Sequence, residues 1–376
     1  MADFDLKKDP FKDPVWDDKS TKVINVKVKD PNKAKAKKVK PPKPPKPPKE
    51  PKKPKKEKKP KTLSQEEIVN KIVQEQMDTI EISKSTKLNS KTVFAYLNKE
   101  SEKRNFVVPK KVQNILESIN KKKRKKDEFY DLKNEGDKII EVKNVSKFYV
   151  NDNIVTRVLQ DVSMDVKKGE FMLIYGISGG GKSTLLNIIS GLDRPSRGHV
   201  IVCDNNLPYL SNSQLTNFRR EHVSFIFQNY NLLENLNAYD NVETGGFLQK
   251  DPAKKLNLID LFKRFEMEEE MTKFPSQMSG GQQQRVSIMR ALAKNSDIIF
   301  ADEPTGALDE VTTKIVLKML YEINKETGST VVMVSHNPVM AAMADRVVHV
   351  VEGKIANIEV NEPPVHPDEI DLFKGQ

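Results

Sequence analysis

"EFMLIYGISGGGKSTLLNIISGL", residues 170–192, decides the fold. It opens with a short apolar run of strand type. "GISGGGKS", Gly176–Ser183, then fits the spacing G-x-x-x-x-G-K-[ST]. "STLLNIISGL" continues with helical spacing. Strand, glycine turn and helix are the setting in which a backbone wraps around a phosphate. Glycines let N–H groups turn inward, and the helix start adds the positive end of its dipole. Gly176, Ile177, Ser178, Gly179, Gly180 and Gly181 are therefore expected to line a phosphate seat, with Thr184 in the first helical turn. Lys182 is expected to place a point charge on β- and γ-phosphates, and Ser183 to offer its hydroxyl to Mg2+.

Two later stretches extend this chemistry. "DIIFADEP", residues 297–304, is an apolar strand ending in two acids. The unbroken "IIFA" marks a buried strand. Beside a phosphate loop, such a strand places Asp302 near the metal and Glu303 where it can take a proton from an attacking water. "MSGGQQQR", residues 278–285, holds no strong nucleophile and no set of metal ligands. With Ser279, Gly280, Gly281 and Gln282 opening a helix, it predicts a second anion cradle.

Further outward, composition sets bounds. The chain has 376 residues, 37% hydrophobic and 31% charged, enough for a core in part of it but not throughout. A single cysteine, Cys203, excludes an internal disulfide framework and fits a reducing compartment; it is read as a packed strand residue rather than a reactive thiol. The start, "MADFDLKKDP", lacks an apolar leader, and no stretch approaches the roughly 18 apolar residues a span requires. A cytoplasmic protein that does not itself cross a membrane is expected. The net charge of +11 is unevenly spread: 22 lysines against 9 acids give residues 1–62 a net +13, residues 63–135 carry +4, and residues 136–376 carry −6.

Residues 31–62, "PNKAKAKKVKPPKPPKPPKEPKKPKKEKKPKT", combine proline with mutually repelling lysines and predict an extended, disordered arm over 1–62. Phe4, Phe11 and Trp16 are its few large apolar residues. An arm of this charge would bind anionic lipid or nucleic acid. Residues 63–135 read as a small helical module and linker, with Ile68, Ile72 and Val73 on one face and Val112, Ile115, Leu116 and Ile119 on another. Within it, "ISKSTKLNSKTVFAYLN", residues 82–98, resembles the helix-turn-helix of the lactose-repressor family, and "FVVPKKVQNILESI", residues 106–119, that family's next helix; Lys87 stands where the family has its turn glycine. The main domain is placed at 136–360, with a short final strand and a loose tail over 361–376.

Over residues 139–355 the chain resembles the nucleotide-binding subunits of ATP-binding-cassette (ABC) transporters. "MSGGQ", Met278–Gln282, looks like the family signature. "GALD", Gly306–Asp309, resembles its D-loop, and "VSH", Val334–His336, its switch histidine. Gln228 in "FIFQNYNLL" and Tyr149 in "VSKFY" match the family's Q-loop glutamine and adenine-stacking aromatic. Phe148 competes for the last role, because neighbouring strand residues face opposite ways; Tyr149 is preferred. "GLDRPSRG" and "ADEPTGALD" are most similar to the lipoprotein-releasing and macrolide-export subgroup.

This resemblance implies a RecA-like α/β P-loop core with an antiparallel β-subdomain and a helical subdomain at about 230–290. It implies ATP hydrolysis with Mg2+ held by Ser183, Gln228 and Asp302. Catalysis falls to Glu303, His336, Lys182 and Gln228, with Asp309 at the nucleotide. It implies a head-to-tail homodimer, in which one chain's signature covers the γ-phosphate on the other chain's loop. It also implies a separate membrane permease, contacted around Gln228–Leu236 on the inner face of the cell membrane. The alternative reading, carried by residues 82–119, is a DNA-binding regulator with an ATPase module.

Overall fold

Two sheets organise the described residues of the computed structural model, which are 78–79, 87–100, 103–306 and 308–371. The arm over 1–62, the face of Ile68, Ile72 and Val73, residues 82–86 of the repressor-like stretch and Ala307 lie outside them. The chain runs through β1 (Asp78–Thr79), α1 (Val93–Glu100), β2 (Asn105–Val107) and α2 (Lys110–Lys121) to a long hairpin, β3 (Lys138–Asn151) and β4 (Ile154–Lys167). Next come β5 (Phe171–Tyr175), α3 (Lys182–Ile189), β6 (Arg197–Val202), β7 (Asn205–Asn206), α4 (Asn212–His222) and β8 (Val223–Ile226). The remainder is α5 (Ala238–Gly246), α6 (Leu258–Arg264), α7 (Gly280–Ala293), β9 (Ile298–Asp302), α8 (Glu310–Thr327), β10 (Thr330–Ser335), β11 (Arg346–Val351) and β12 (Lys354–Val360).

One sheet has the order β12-β11-β5-β10-β9-β8, parallel except where β12 pairs with β11. Its strands are short apolar runs because both faces are covered. Alternate residues then serve two cores. Phe171, Leu173, Val331, Met333, Ile299 and Ala301 pack with Val316, Leu317 and Leu320 of α8 and with α7. Met172, Ile174, Val332, Val334, Ile298 and Phe300 face the other way, onto Leu185, Leu186 and Ile188 of α3 and the first sheet's Ile140 and Val142. The helical subdomain falls where expected, with α5, α6 and α7.

The other sheet, β1-β2-β4-β3-β6-β7, is antiparallel apart from the β1–β2 pair. Here the expectation of a helical module over 63–135, separable from the main domain, needs correcting. The helices α1 and α2 are present, but β2 lies between them and extends the main domain's own sheet, Asn105 facing Thr156 and Phe106 facing Val155. Val93, Leu97, Phe106, Val112 and Leu116 share one core with Phe148 and Val155 of the hairpin. Arg124 donates to Gly198 O at 2.5 Å, Asn120 to Phe148 O at 2.7 Å, and Tyr209 to Asp127 Oδ1 at 2.7 Å. Phe94 packs its ring 5.7 Å from that of Phe148, so burial of the hairpin's apolar face draws the two parts into one fold.

The expected loose tail also differs in its described part, 361–371. Ile370 is buried in the core under α8, and Asp368 pairs with Lys318 of that helix at 2.8 Å. Cys203 stands in the turn after β6, at φ 46°, rather than in the strand. Burial first, then the charges of Asp297 and Asp204, push its thiol up to about 12, consistent with an unreactive group.

Candidate functional site

The phosphate loop joins the end of β5 to the start of α3 at the carboxyl edge of the parallel sheet, where such folds seat their ligands. Two glycines are sterically required. Gly176 has φ 157°, and a Cβ there would stand 2.2 Å from Val350 O. Gly181, immediately before α3, has φ 107° and would press on Val158 O and Leu159 at 3.0 Å. Ile177, Ser178 and Gly179 form the exposed crest of the loop, while Gly180 is buried beneath it. Lys182 folds back inside the turn, its Nζ donating to Ile177 O at 3.1 Å and lying 4.0 Å from Glu303 Oε1.

Ser183 Oγ donates to Asp302 Oδ1 at 2.9 Å. Burial first, and then the neighbouring Glu303 charge, hold the Asp302 carboxyl above its ordinary range. The nearby Lys182 charge acts the other way but does not outweigh these two. Two hard oxygen donors side by side fit a small hard cation such as Mg2+. Glu303 follows at the end of β9 with a left-handed backbone, φ 47°, pinned by its N–H to Val334 O at 3.1 Å. That strained conformation turns its side chain toward β10, where His336 Nδ1 lies 2.9 Å from Glu303 Oε2. A carboxylate can only accept, so this bond puts the proton on Nδ1. A cavity of about 320 Å3 opens beside the pair, lined also by Thr305, Ser335, Asn337 and Met340.

Lys182, Ser183, Asp302, Glu303 and His336, from three elements, thus converge. Gln228 does not join them by any hydrogen bond among the described residues. It is exposed, two residues past the Ile226–Ala301 strand pair and near the level of Glu303. Tyr149 is 36% exposed and Phe148 1%, so alternation leaves Tyr149 free on the outer face and Phe148 in the core. The Tyr149 hydroxyl donates to Asp193 Oδ2 at 2.7 Å. Burial, then that bond, raise its phenol above the ordinary value, with Thr184 of α3 acting the other way.

The second cradle also forms as a helix start. Ser279 caps α7, accepting from Gln282 N–H at 3.3 Å, while the Gln282 side chain accepts from Ser279 N–H at 2.8 Å. Gln282 Nε2 donates to Glu270, so this side chain is committed to holding the cap. Ser279 and Gly280 are exposed. No hydrogen bond or ion pair among the described residues joins this cap to the phosphate loop of the same chain. Asp309 caps α8 through Thr312 N–H at 2.9 Å and is exposed.

Two residues were not anticipated from the sequence. Asp193 supports Tyr149 and also holds the buried Lys147 at 2.8 Å. Arg104 donates from Nη2 to Gly179 O, in the phosphate loop, at 2.7 Å. The stretch "GLDRP" signalled Asp193 only through a family resemblance, and Arg104 carried no local signal.

The ABC transporter family profile matches residues 159–306. A putative ABC transporter ATP-binding protein of Mycoplasma pneumoniae is 47% identical over 232 residues, covering 62% of this chain and 50% of its own length. The macrolide export ATP-binding/permease protein MacB of Haemophilus ducreyi is 40% identical over 225 residues, 59% of this chain and 32% of that protein. The chain therefore spans half or less of those two relatives. The uncharacterized ABC transporter ATP-binding protein MJ0796 of Methanocaldococcus jannaschii is 40% identical over 228 residues, 59% of this chain and 97% of that protein. The dimeric structure of MJ0796 in a post-hydrolysis state, bound to ADP and Pi, superposes with a TM-score of 0.55 at 37% identity, covering 59% of this chain and 98% of that one. With nearly the whole of that cassette matched in sequence and fold, the chain belongs to the family of ABC transporter ATP-binding proteins.

Proposed function

We propose that the chain hydrolyses ATP as the nucleotide-binding subunit of an ABC transporter, dimerising on ATP to drive a separate permease of the lipoprotein-release or macrolide-export type. The observation that carries this reading is the convergence of Lys182, Ser183, Asp302, Glu303 and His336 at the carboxyl edge of one parallel sheet.

The loop's backbone N–H groups and Lys182 hold the β- and γ-phosphates, and Tyr149 stacks on the adenine. Ser183, Asp302 and Gln228 would hold Mg2+, which when bound would supply Lewis-acid neutralisation of the phosphate charge. Glu303 takes a proton from water as the water oxygen attacks the γ-phosphorus in line, and the bond to the β–γ bridging oxygen breaks to release ADP. His336, hydrogen-bonded to Glu303 through Nδ1–H, orients that carboxylate and meets the γ-phosphate with its other ring edge. Ser279, Gly280 and Gly281 of a second copy cover the same phosphate, with Asp309 at the seam; the exposure of Ser279, Gly280 and Asp309 and the lack, among the described residues, of a bond from the cap to its own phosphate loop support a site completed in trans.

The permease would seat in the groove of about 340 Å3 formed by Phe225, Phe227, Asn231, Thr244, Leu248 and Arg290, next to the expected 228–236 segment. Phe247, 73% exposed, lies beside it. No helix of the described residues is long and apolar enough to cross a membrane. The reading accordingly places the chain on the inner face of the membrane, with the basic arm drawn to anionic lipid. The relatives give the DNA-binding alternative no support, and the described helices of the repressor-like stretch pack their apolar residues on the hairpin.

The deciding experiment is Glu303→Gln. The amide keeps the shape and loses the base, so the variant binds ATP, turns it over at least about a hundredfold more slowly, and elutes as a dimer with Mg-ATP in size-exclusion chromatography. Near-normal turnover would sink the assignment.

A further inference from the structure

We propose that Arg104 is a positioning residue of the phosphate loop, supplied by the segment ahead of the main domain, and that it sets nucleotide affinity by fixing the Gly179–Gly180 peptide. This rests on the reading that Gly176–Ser183 holds the phosphates.

Gly179, Gly180 and Gly181 are consecutive, so the crest of the loop has little intrinsic preference between peptide orientations. Gly179 has φ 73°, and a Cβ there would meet no atom within 4 Å. The peptide is instead held by two hydrogen bonds of opposite direction. Gly180 N–H turns inward to Ile177 O at 3.1 Å, and Gly179 C=O turns outward to Arg104 Nη2 at 2.7 Å. A peptide unit is planar, so fixing its carbonyl outward fixes its N–H inward. Without the guanidinium, rotation of this peptide would aim the negative end of its dipole at the phosphate seat.

Arg104 is itself placed by the sheet. Its carbonyl accepts from Arg157 N–H at 2.8 Å, and the next residue, Asn105, faces Thr156, which faces Tyr149 on the other side. By that register Asn105, Thr156 and Tyr149 share one face of the sheet, and Arg104, one residue earlier, lies level with Arg157 and Phe148 across three adjacent strands set about 4.8 Å apart. Arg104 makes no ion pair with any carboxylate among the described residues, so its charge remains available to the loop.

The test uses the full chain with Arg104→Ala and Arg104→Lys, measuring ATP and ADP binding by calorimetry, kcat and KM, and the melting temperature without nucleotide. Arg104→Ala should raise Kd for ATP and ADP alike about tenfold, one 1.4 kcal/mol step, because both nucleotides fill the loop with their β-phosphate. KM should rise similarly while kcat stays within about twofold and the melting temperature holds. Arg104→Lys, which keeps charge and a donor, should recover part of the loss. Unchanged Kd in Arg104→Ala would overturn the proposal, as would a loss that comes with a matching fall in kcat and melting temperature, the mark of a damaged sheet. A wild-type protein that binds no ADP would instead sink the underlying reading of the loop.

Discussion

Phe106→Ala tests whether residues 87–121 are an integral part of the ATP-binding domain. Phe106 has 0% exposure at the centre of the cluster that also contains Leu97, Val112, Leu116, Phe148 and Val155. Truncating a buried phenylalanine costs about 3–5 kcal/mol, the lost transfer energy plus the cavity left behind. The upper half of that range applies here. The Arg157 guanidinium lies 5.6 Å from the Phe106 ring and 5.6 Å from Phe148, so the cavity would open beside a buried charge. At roughly 2–4 °C per kcal/mol for a domain of this size, the melting midpoint should fall by about 8–20 °C. The assay is circular dichroism at 222 nm, with loss of ATP binding followed over the same temperatures. If the segment and the main domain share one core, both signals move together as one transition. A new early transition that leaves the ATP-binding midpoint unchanged would refute the reasoning and make the segment an appendage. Phe247→Ala, on the exposed side, should stay within about 0.5 kcal/mol of the wild type.

Lys182→Ala and Ser279→Arg should each abolish turnover, and mixing the two proteins should restore part of it; heterodimers then contain one site built from an intact loop and an intact signature, so strong activity of Ser279→Arg alone would contradict the trans arrangement. Asp302→Asn should separate stability from function. A carboxyl raised above its unfolded value makes the charged form costly in the folded state at pH above that raised value, and the cost fades as pH falls through it. Removing the charge should therefore raise stability at pH 8 without nucleotide by about 0.5–2 kcal/mol, with a smaller gain near pH 4, while turnover falls at least about tenfold. A destabilised variant at pH 8 would show that the carboxylate is not penalised by its surroundings.

The local geometry of the candidate site was legible because it is written in consecutive residues. A glycine turn between an apolar strand and a helix, or two acids at a strand end, has its geometry set within a few residues, so Gly176–Ser183 and Asp302–Glu303 could be placed from spacing alone. Strand alternation required Tyr149 and Phe148 to face opposite ways without saying which is buried; their exposures show that it is Phe148. Other features depend on surfaces that come together only in the fold. β2 is three residues long, too short to show a period, and becomes a strand because the edge of β4 offers unpaired groups and Phe148 needs cover. The stretch 361–371 reads as a tail by its prolines and acids, yet Ile370 fills a gap under α8 that no local pattern reveals. Gln282 reads as a phosphate ligand in "SGGQ", but its side chain is spent on the Ser279 cap and on Glu270, a choice set by which partner lies within reach. Arg104 and Gly179 are 75 residues apart, and nothing near either one in the sequence names the other. Local chemistry follows from covalent neighbours, whereas the partner of a long side chain follows from which strand edges pair, and burial of apolar surface decides that for the domain as a whole.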